Sequence, residues 1–238
     1  MNHEWSSSEA QWVRDGSLLF QQALSGLRNT ELTSHSNLIG WTRAHVIAHV
    51  AANAQAIGRL LHWASTGEPT PMYASVEERD REIAEGSLMD PDDLRDWWKV
   101  SDTSLQTSFA DLLPEAWKSK VVTAQGREVT ARETLWMRSR EVCVHAVDLD
   151  AGVGFGDLPE AFLVRLIDDA TAKHSSNEQN PSVIINDEQG RSWNILAGSG
   201  QFEVHGSTDA LASWITGRSA QGVQAIQDSR PPTLAKWL

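Results

Sequence analysis

The chain has 238 residues, 40% hydrophobic and 22% charged, the make-up of a folded protein with a core large enough to need no staple. Its 32 acidic and 20 basic residues leave a formal net charge of −12 at pH 7, and no basic run offers nucleic acid or an anionic membrane an electrostatic footprint. The single cysteine, Cys143, excludes an intrachain disulfide and a cysteine-based structural zinc knuckle.

Met1 to Phe20 opens on acidic and serine residues and lacks a basic flank before an apolar run, so it does not read as a signal peptide. Ser6-Ser7-Ser8-Glu9 has capping-box spacing with Trp5 before the cap, and apolar positions from Trp12 to Leu27 carry a helix to about Arg28. Residues 29–40 read as a loop. A second helix is predicted from Thr42 to Ser65, stopped by Gly67, Pro69 and Pro71. It holds the longest stretch free of Asp, Glu, Lys and Arg, Ala44 to Gly58, which is too short to span a bilayer. A short charged helix, Val76 to Glu85, follows. Asp90-Pro91 is a cap with proline at the first helical position, and opens a long helix to Leu113. Lys120 to Val129 reads as a small hairpin or loop around Gln125-Gly126. Thr130-Ala131-Arg132-Glu133 is a second capping box, starting a helix that reaches Leu149.

Four long helices with short connections predict an up-and-down bundle over residues 1–150. Gly152, Gly154, Gly156 and Pro159 then mark a linker, and residues 151–238 read as a small α/β domain. Its elements are a helix from Pro159 to Lys173, strands at Ser182–Asn186, Ser192–Ala197 and Phe202–Gly206, and a helix from Ser207 to Thr216 stopped by Gly217. Asp187-Glu188-Gln189-Gly190 joins the first two strands as a hairpin. The 11 tryptophans, against one tyrosine, read as core filling.

The polar residues of two helices fall into stripes. His45 and His49 are i and i+4, and Asn53 continues their face; Glu141, His145 and Asp148 are i, i+4 and i+7 on the fourth long helix. Cys143 lies about 200° round from Glu141 and points away as a small buried hydrophobe. Facing stripes of imidazole and carboxylate are how bundles build metal sites, and a His, Glu, His set leaves the open position of a catalytic zinc. Asp148 is placed to hydrogen-bond and orient the His145 ring. The same spacings also suit solvated ion pairs, Glu141 with Arg138 and His145 with Asp148, worth a few tenths of a kcal/mol (~0.2–0.5). The apolar neighbours Val142, Val144, Val147, Val46, Ile47 and Val50 favour an internal stripe. No G-x-S-x-G elbow, Walker loop or HExxH motif occurs. His3, His35, His62 and His174 read as solvated, and His205 as a strand residue of no assigned role.

Three segments carry a resemblance: Gly40-Trp41-Thr42-Arg43-Ala44-His45-Val46-Ile47-Ala48-His49-Val50, Arg140-Glu141-Val142-Cys143-Val144-His145-Ala146-Val147-Asp148, and Trp214-Ile215-Thr216-Gly217-Arg218. In order and spacing the chain resembles the mycothiol-dependent maleylpyruvate isomerases over nearly its whole length. The resemblance implies a DinB-like four-helix bundle followed by a small α/β domain similar in shape to sterol-carrier modules. It implies one Zn2+ per chain held by His49, Glu141 and His145, with His45 and Asn53 as neighbours. It also implies mycothiol, a cysteine-bearing sugar thiol, as cosubstrate, and cis–trans isomerisation of maleylpyruvate to fumarylpyruvate in gentisate breakdown. Arg218 is then expected to bind substrate or stabilise an enolate; its other reading is a cation favoured at a helix C-terminus. Asp148 is expected to orient His145 first and to handle protons second. A mycothiol S-transferase of the same superfamily and a non-catalytic carrier of apolar ligands stand as alternatives. The protein is expected in the cytoplasm as a monomer, with no nucleic-acid or membrane partner.

Overall fold

Apolar residues at helical spacing dominate the first two-thirds of the chain, and short alternating runs dominate the rest. The structure, a computed structural model, describes residues 4–226 and 230–237 and combines seven α-helices with two small sheets among them. It is an α plus β chain that divides into two compact units, Met1–Val153 and Gly154–Leu238. His3, expected to be solvated, lies outside the described residues. No helix among the described residues is long and apolar enough to cross a membrane.

In the first unit, α1 (Ser8–Gly26) packs along α5 (Glu133–Asp148). Helix α2 (Arg43–Thr66) packs against α3 (Val76–Gly86), α4 (Pro91–Asp111) and α5. The central place of α2 follows from its sequence: Ala44, Ala48, Ala51, Ala52, Ala54 and Ala56 are buried among Val46, Ile47, Val50 and Ile57, so almost its whole circumference is apolar. Gly16 brings α1 close to α5, since a Cβ there would lie 2.5 Å from Val142 Cγ2 and 2.6 Å from Cys143 Sγ. A two-stranded antiparallel sheet, β1 (Lys120–Val122) and β2 (Glu128–Thr130), joins α4 to α5.

Two helix starts differ from expectation. Ser6 ends a 3-10 turn, and the cap of α1 is Ser7, whose hydroxyl accepts from the Ala10 amide at 3.3 Å. Trp5 is drawn inward, its ring stacked on Phe109 at 5.3 Å. The Thr130 capping box does not form, because Thr130 closes β2 opposite Lys120. Backbone bonds fix the entry to α5 instead: the Ala131 and Arg132 amides donate to the Ser119 and Trp117 carbonyls.

The second unit holds α6 (Glu160–Ser175), β3 (Pro181–Asp187), β4 (Ser192–Ile195), β5 (Gly198–Gly206), α7 (Thr208–Ile215) and β6 (Gln224–Ala225). Strand order is β4-β3-β5-β6, with β3 parallel to β5 and the other pairs antiparallel. Val183, Ile185, Ile195 and Val204 share one side of the sheet, where α6 and α7 cover them. To pass from one side of β3 to the other, the chain crosses the segment leading into β3 at Gly198, where a Cβ would lie 2.3 Å from the Glu178 carbonyl oxygen.

Candidate metal centre

Two helices set this site, and their ends are fastened to each other. The Thr42 hydroxyl accepts from the His45 amide and caps α2. Arg43, in the first turn of α2, reaches the carbonyls that end α5: its Nε donates to Leu149 O and an Nη to Asp150 O, both at 2.7 Å. Asn37 adds bonds from its amide to Asp148 O at 2.9 Å and from Nδ2 to Val147 O at 3.0 Å. A cation and amide donors at a helix C-terminus satisfy orphan carbonyls and complement the helix dipole. The start of α2 is thereby held to the end of α5.

That fastening sets His49 opposite Glu141 and His145. His49 Nε2 lies 2.8 Å from Glu141 Oε2, and His145 Nε2 lies 3.3 Å from the same oxygen. One ligand atom from each residue falls within 4.8 Å of the other two. The two imidazoles meet edge to face with centroids 4.8 Å apart, and Trp41 packs edge-on against His49 at 5.5 Å. His145 Nδ1 donates to Asp148 Oδ2 at 2.8 Å, and Asp148 is fully buried.

The donor set can be tested against a cation. With its Nδ1 proton committed to Asp148, a neutral His145 aims the Nε2 lone pair at a carboxylate oxygen. Two acceptors face each other there, which is stable only if a proton or a metal ion lies between them. The electrostatics carry the same demand for positive charge. Burial lowers His145, yet hydrogen bonds to Asp148 and Glu141 push it up to about 9. Burial holds His49 below the ordinary histidine value against the pull of Glu141. For Glu141, burial raises the carboxyl, and the two imidazoles more than reverse this, leaving it well below the usual carboxylate range. His49 Nδ1 is buried with no partner among the described residues. Two imidazole nitrogens and one carboxylate oxygen, with an orienting carboxylate behind, fit a first-row divalent metal, zinc included.

The other sequence-predicted residues lie around this group or away from it. His45 is engaged at the start of its helix, with Nδ1 2.7 Å from Thr42 Oγ1 and Nε2 3.3 Å from Ser87 Oγ, and it meets the cluster through the shared neighbour Trp41. Asn53 Oδ1 accepts from Arg138 at 2.9 Å. Arg218 lies in the second unit, in the turn after α7 that Gly217 makes at φ 79°, and it donates to the Thr216 carbonyl at 2.6 Å. Cys143 is buried on the α1 side of α5, where burial pushes its thiol far up. His174 is not solvated: it is 2% exposed and bonded to the Ile215 carbonyl and Asn180.

The sequence reading missed one charged group. Arg138 is 0% exposed and does not pair with Glu141; it donates to Asp102 Oδ1 at 2.8 Å and to Val50 O at 2.9 Å. Asp102 also accepts from Ser17 and Gln106, at 2.9 and 2.7 Å. Arg138 therefore crosslinks α5, α2 and α4 one helical turn before Glu141. Its only sequence signal was an arginine in a helix with little polar surface.

Residues 13–150 match the family model described as the mycothiol maleylpyruvate isomerase N-terminal domain. Two solved structures are similar over 96% of this chain and 95% of theirs, each with a TM-score of 0.92. One is a crystal structure of the mycothiol-dependent maleylpyruvate isomerase, at 41% identity, and the other is of a histidine-to-alanine mutant of that enzyme, at 40%. Among curated proteins there is no match.

Proposed function

This chain belongs to the mycothiol maleylpyruvate isomerase family, and on that premise we propose that it converts maleylpyruvate to fumarylpyruvate with mycothiol as thiol cosubstrate, in gentisate breakdown. The observation that carries the reading is the convergence of His49, Glu141 and His145 on one point between α2 and α5. These three side chains would hold one Zn2+ per chain. In this reading, residues 1–150 are a DinB-like four-helix metal-binding bundle, and residues 151–238 an α/β domain of sterol-carrier type. The protein works in the cytoplasm as a monomer.

A free thiol, with a pKa of about 8.5, is mostly protonated at neutral pH, and the metal when bound would hold it as thiolate. Asp148 fixes the His145 ring so that Nε2 faces the metal position. Trp41, packed against His49, keeps water from one side of that ring. Arg218 would pair with substrate carboxylates and with the enolate oxygen, on which charge gathers as sulfur adds to the conjugated double bond. Rotation about the resulting single bond and expulsion of the same thiolate then give the trans isomer, with no net proton change. Handling a proton is the second role of Asp148 in this reading, after orienting His145.

The test is elemental mass spectrometry of the untagged protein with His49→Ala, Glu141→Ala and His145→Ala, followed by assay of maleylpyruvate with mycothiol. About one zinc per wild-type chain, lost in each folded variant, together with fumarylpyruvate as product, supports the reading. A stable thioether product would make the protein a mycothiol S-transferase instead. Absence of metal after zinc reconstitution would sink the mechanism and leave the carrier of apolar ligands. Against the carrier stands the cost of burying this polar group with nothing to bind.

A further inference from the structure

A cleft of about 700 Å³ lies between the loop after α2, helix α3 and the first half of α4. That volume suits a small-molecule ligand. Its wall touches the metal-centre helix: Gly86, which lines it, lies so close to α2 that an added Cβ would sit 2.9 Å from the Ala48 Cβ, next to His49. Tyr73 lines the same cleft, and the Glu141 charge acts on it, adding to burial in pushing its phenol up to about 12. The cleft therefore borders the helix that carries His49, wholly within the first unit.

Its lining is mostly apolar by area, with Pro71, Ala74, Met89 and Trp97 contributing, and charged groups of both signs are set among them. Arg59, anchored on the Met72 carbonyl at 2.8 Å, stands over the Tyr73 ring with its guanidinium carbon 5.7 Å from the centroid. Glu78 and Arg81 pair at the rim, Glu82 stands beside them, and Trp97 offers an indole. The Tyr73 hydroxyl has no hydrogen-bond partner among the described residues. An apolar ligand would strip water from these groups without replacing it. A polyanion would meet the glutamates, and a cation the arginines. A polyhydroxylated ligand matches all of them, because each hydroxyl both donates to a carboxylate and accepts from a guanidinium or phenol. Its C–H faces would pack on Trp97.

We propose that this cleft binds the sugar part of the thiol cosubstrate, with the Tyr73 hydroxyl and the Glu82 carboxylate as its hydrogen-bonding anchors, so that the thiol end reaches the cluster. The proposal rests on the isomerase reading and adds to it the site of the polyol.

The experiment is calorimetric titration of the zinc-loaded full-length protein with two probes, mycothiol and its thiol-free glucosaminyl-inositol fragment. Tyr73→Phe and Glu82→Gln, each nearly isosteric, are titrated in parallel, with melting temperatures confirming the fold. Binding of the fragment to wild type, weakened about 10-fold in each variant, is expected from the loss of one hydrogen bond. The KM for mycothiol should rise by a similar factor, with a much smaller change in kcat. Equal fragment affinity in wild type and both variants would overturn the proposal. So would a wild type that binds mycothiol but not the fragment. A wild type that binds neither would overturn the isomerase reading, and this proposal with it.

Discussion

At the residue scale, the informative groups are buried charges whose partners can be named. Asp148 touches His145 on the side away from the metal position, so Asp148→Asn should leave the fold intact and lower zinc affinity about 10–100-fold in a chelator competition. Arg138→Met leaves Asp102 buried without its cation, and urea unfolding should show a loss of about 3–5 kcal/mol. The double variant with Asp102→Leu should recover much of that loss. Tyr73 is the single tyrosine of the chain, so phenolate absorbance reports on it alone. In the metal-free protein its titration should centre near 12 and vanish in Tyr73→Phe. The unfolded chain ionises first, near pH 10, so the stabilisation from a neutral phenol is complete below that pH and lost as pH rises toward 12. Spacing made part of this legible: i, i+4 and i+7 placed Glu141, His145 and Asp148 on one stripe. It was silent on Arg138, for which the spacing offered only an alternative ion pair with Glu141, three residues away on its own helix. The true partner, Asp102, lies on α4, and periodicity along one helix does not say which face of another will meet it.

At the element scale, the helices were legible because their apolar period and proline or glycine stops are local properties. Their starts were less so. Ser6 and Thr130 both carry cap chemistry, yet one ends a 3-10 turn and the other closes a strand, because tertiary pairing outweighs about 1 kcal/mol of capping. The strand β6 has only two residues and no pattern of its own; it exists because β5 offers it an edge. Close contacts between elements are likewise invisible in sequence until the neighbour is known. Gly16 is such a case. Gly16→Ala gains about 1 kcal/mol of helix propensity, but its methyl would press on Val142 and Cys143, and overpacking costs about 1–3 kcal/mol. A net loss of stability is expected in thermal unfolding. Zinc affinity should fall with it, since the displaced residues lie between Glu141 and His145.

At the scale of the whole molecule, the three candidate ligands, their orienting Asp148 and the cleft all belong to Met1–Val153, whereas Arg218 belongs to Gly154–Leu238. The first unit has its own buried core, running from Val13 through Ile57, Leu105 and Trp117 to Leu135. Expressed alone, residues 1–153 should fold cooperatively and bind about one zinc, yet show no isomerase activity. Metal analysis and product assay on that fragment check both halves of the statement. The division also separates two kinds of loss: substitutions in the first unit should cost metal or thiol binding, and Arg218→Ala should cost turnover with both retained.

The fastening between α2 and α5 has a kinetic consequence. Residues 32–44 include a stretch of no regular structure before α2, yet many of their amides are bonded: Ser36 donates to Trp41, Asn37 to Asp148, Trp41 to Leu38, Arg43 to Ser34 and Ala44 to Leu32. The Asn37 amide is bonded to the last turn of α5, so it becomes available to solvent only when that turn is released. In deuterated buffer it should therefore exchange as slowly as the amides at the end of α5, far behind the rate of an open loop. Arg43→Ala should speed exchange at Asn37 and in that last turn together, with the centre of α4 unchanged.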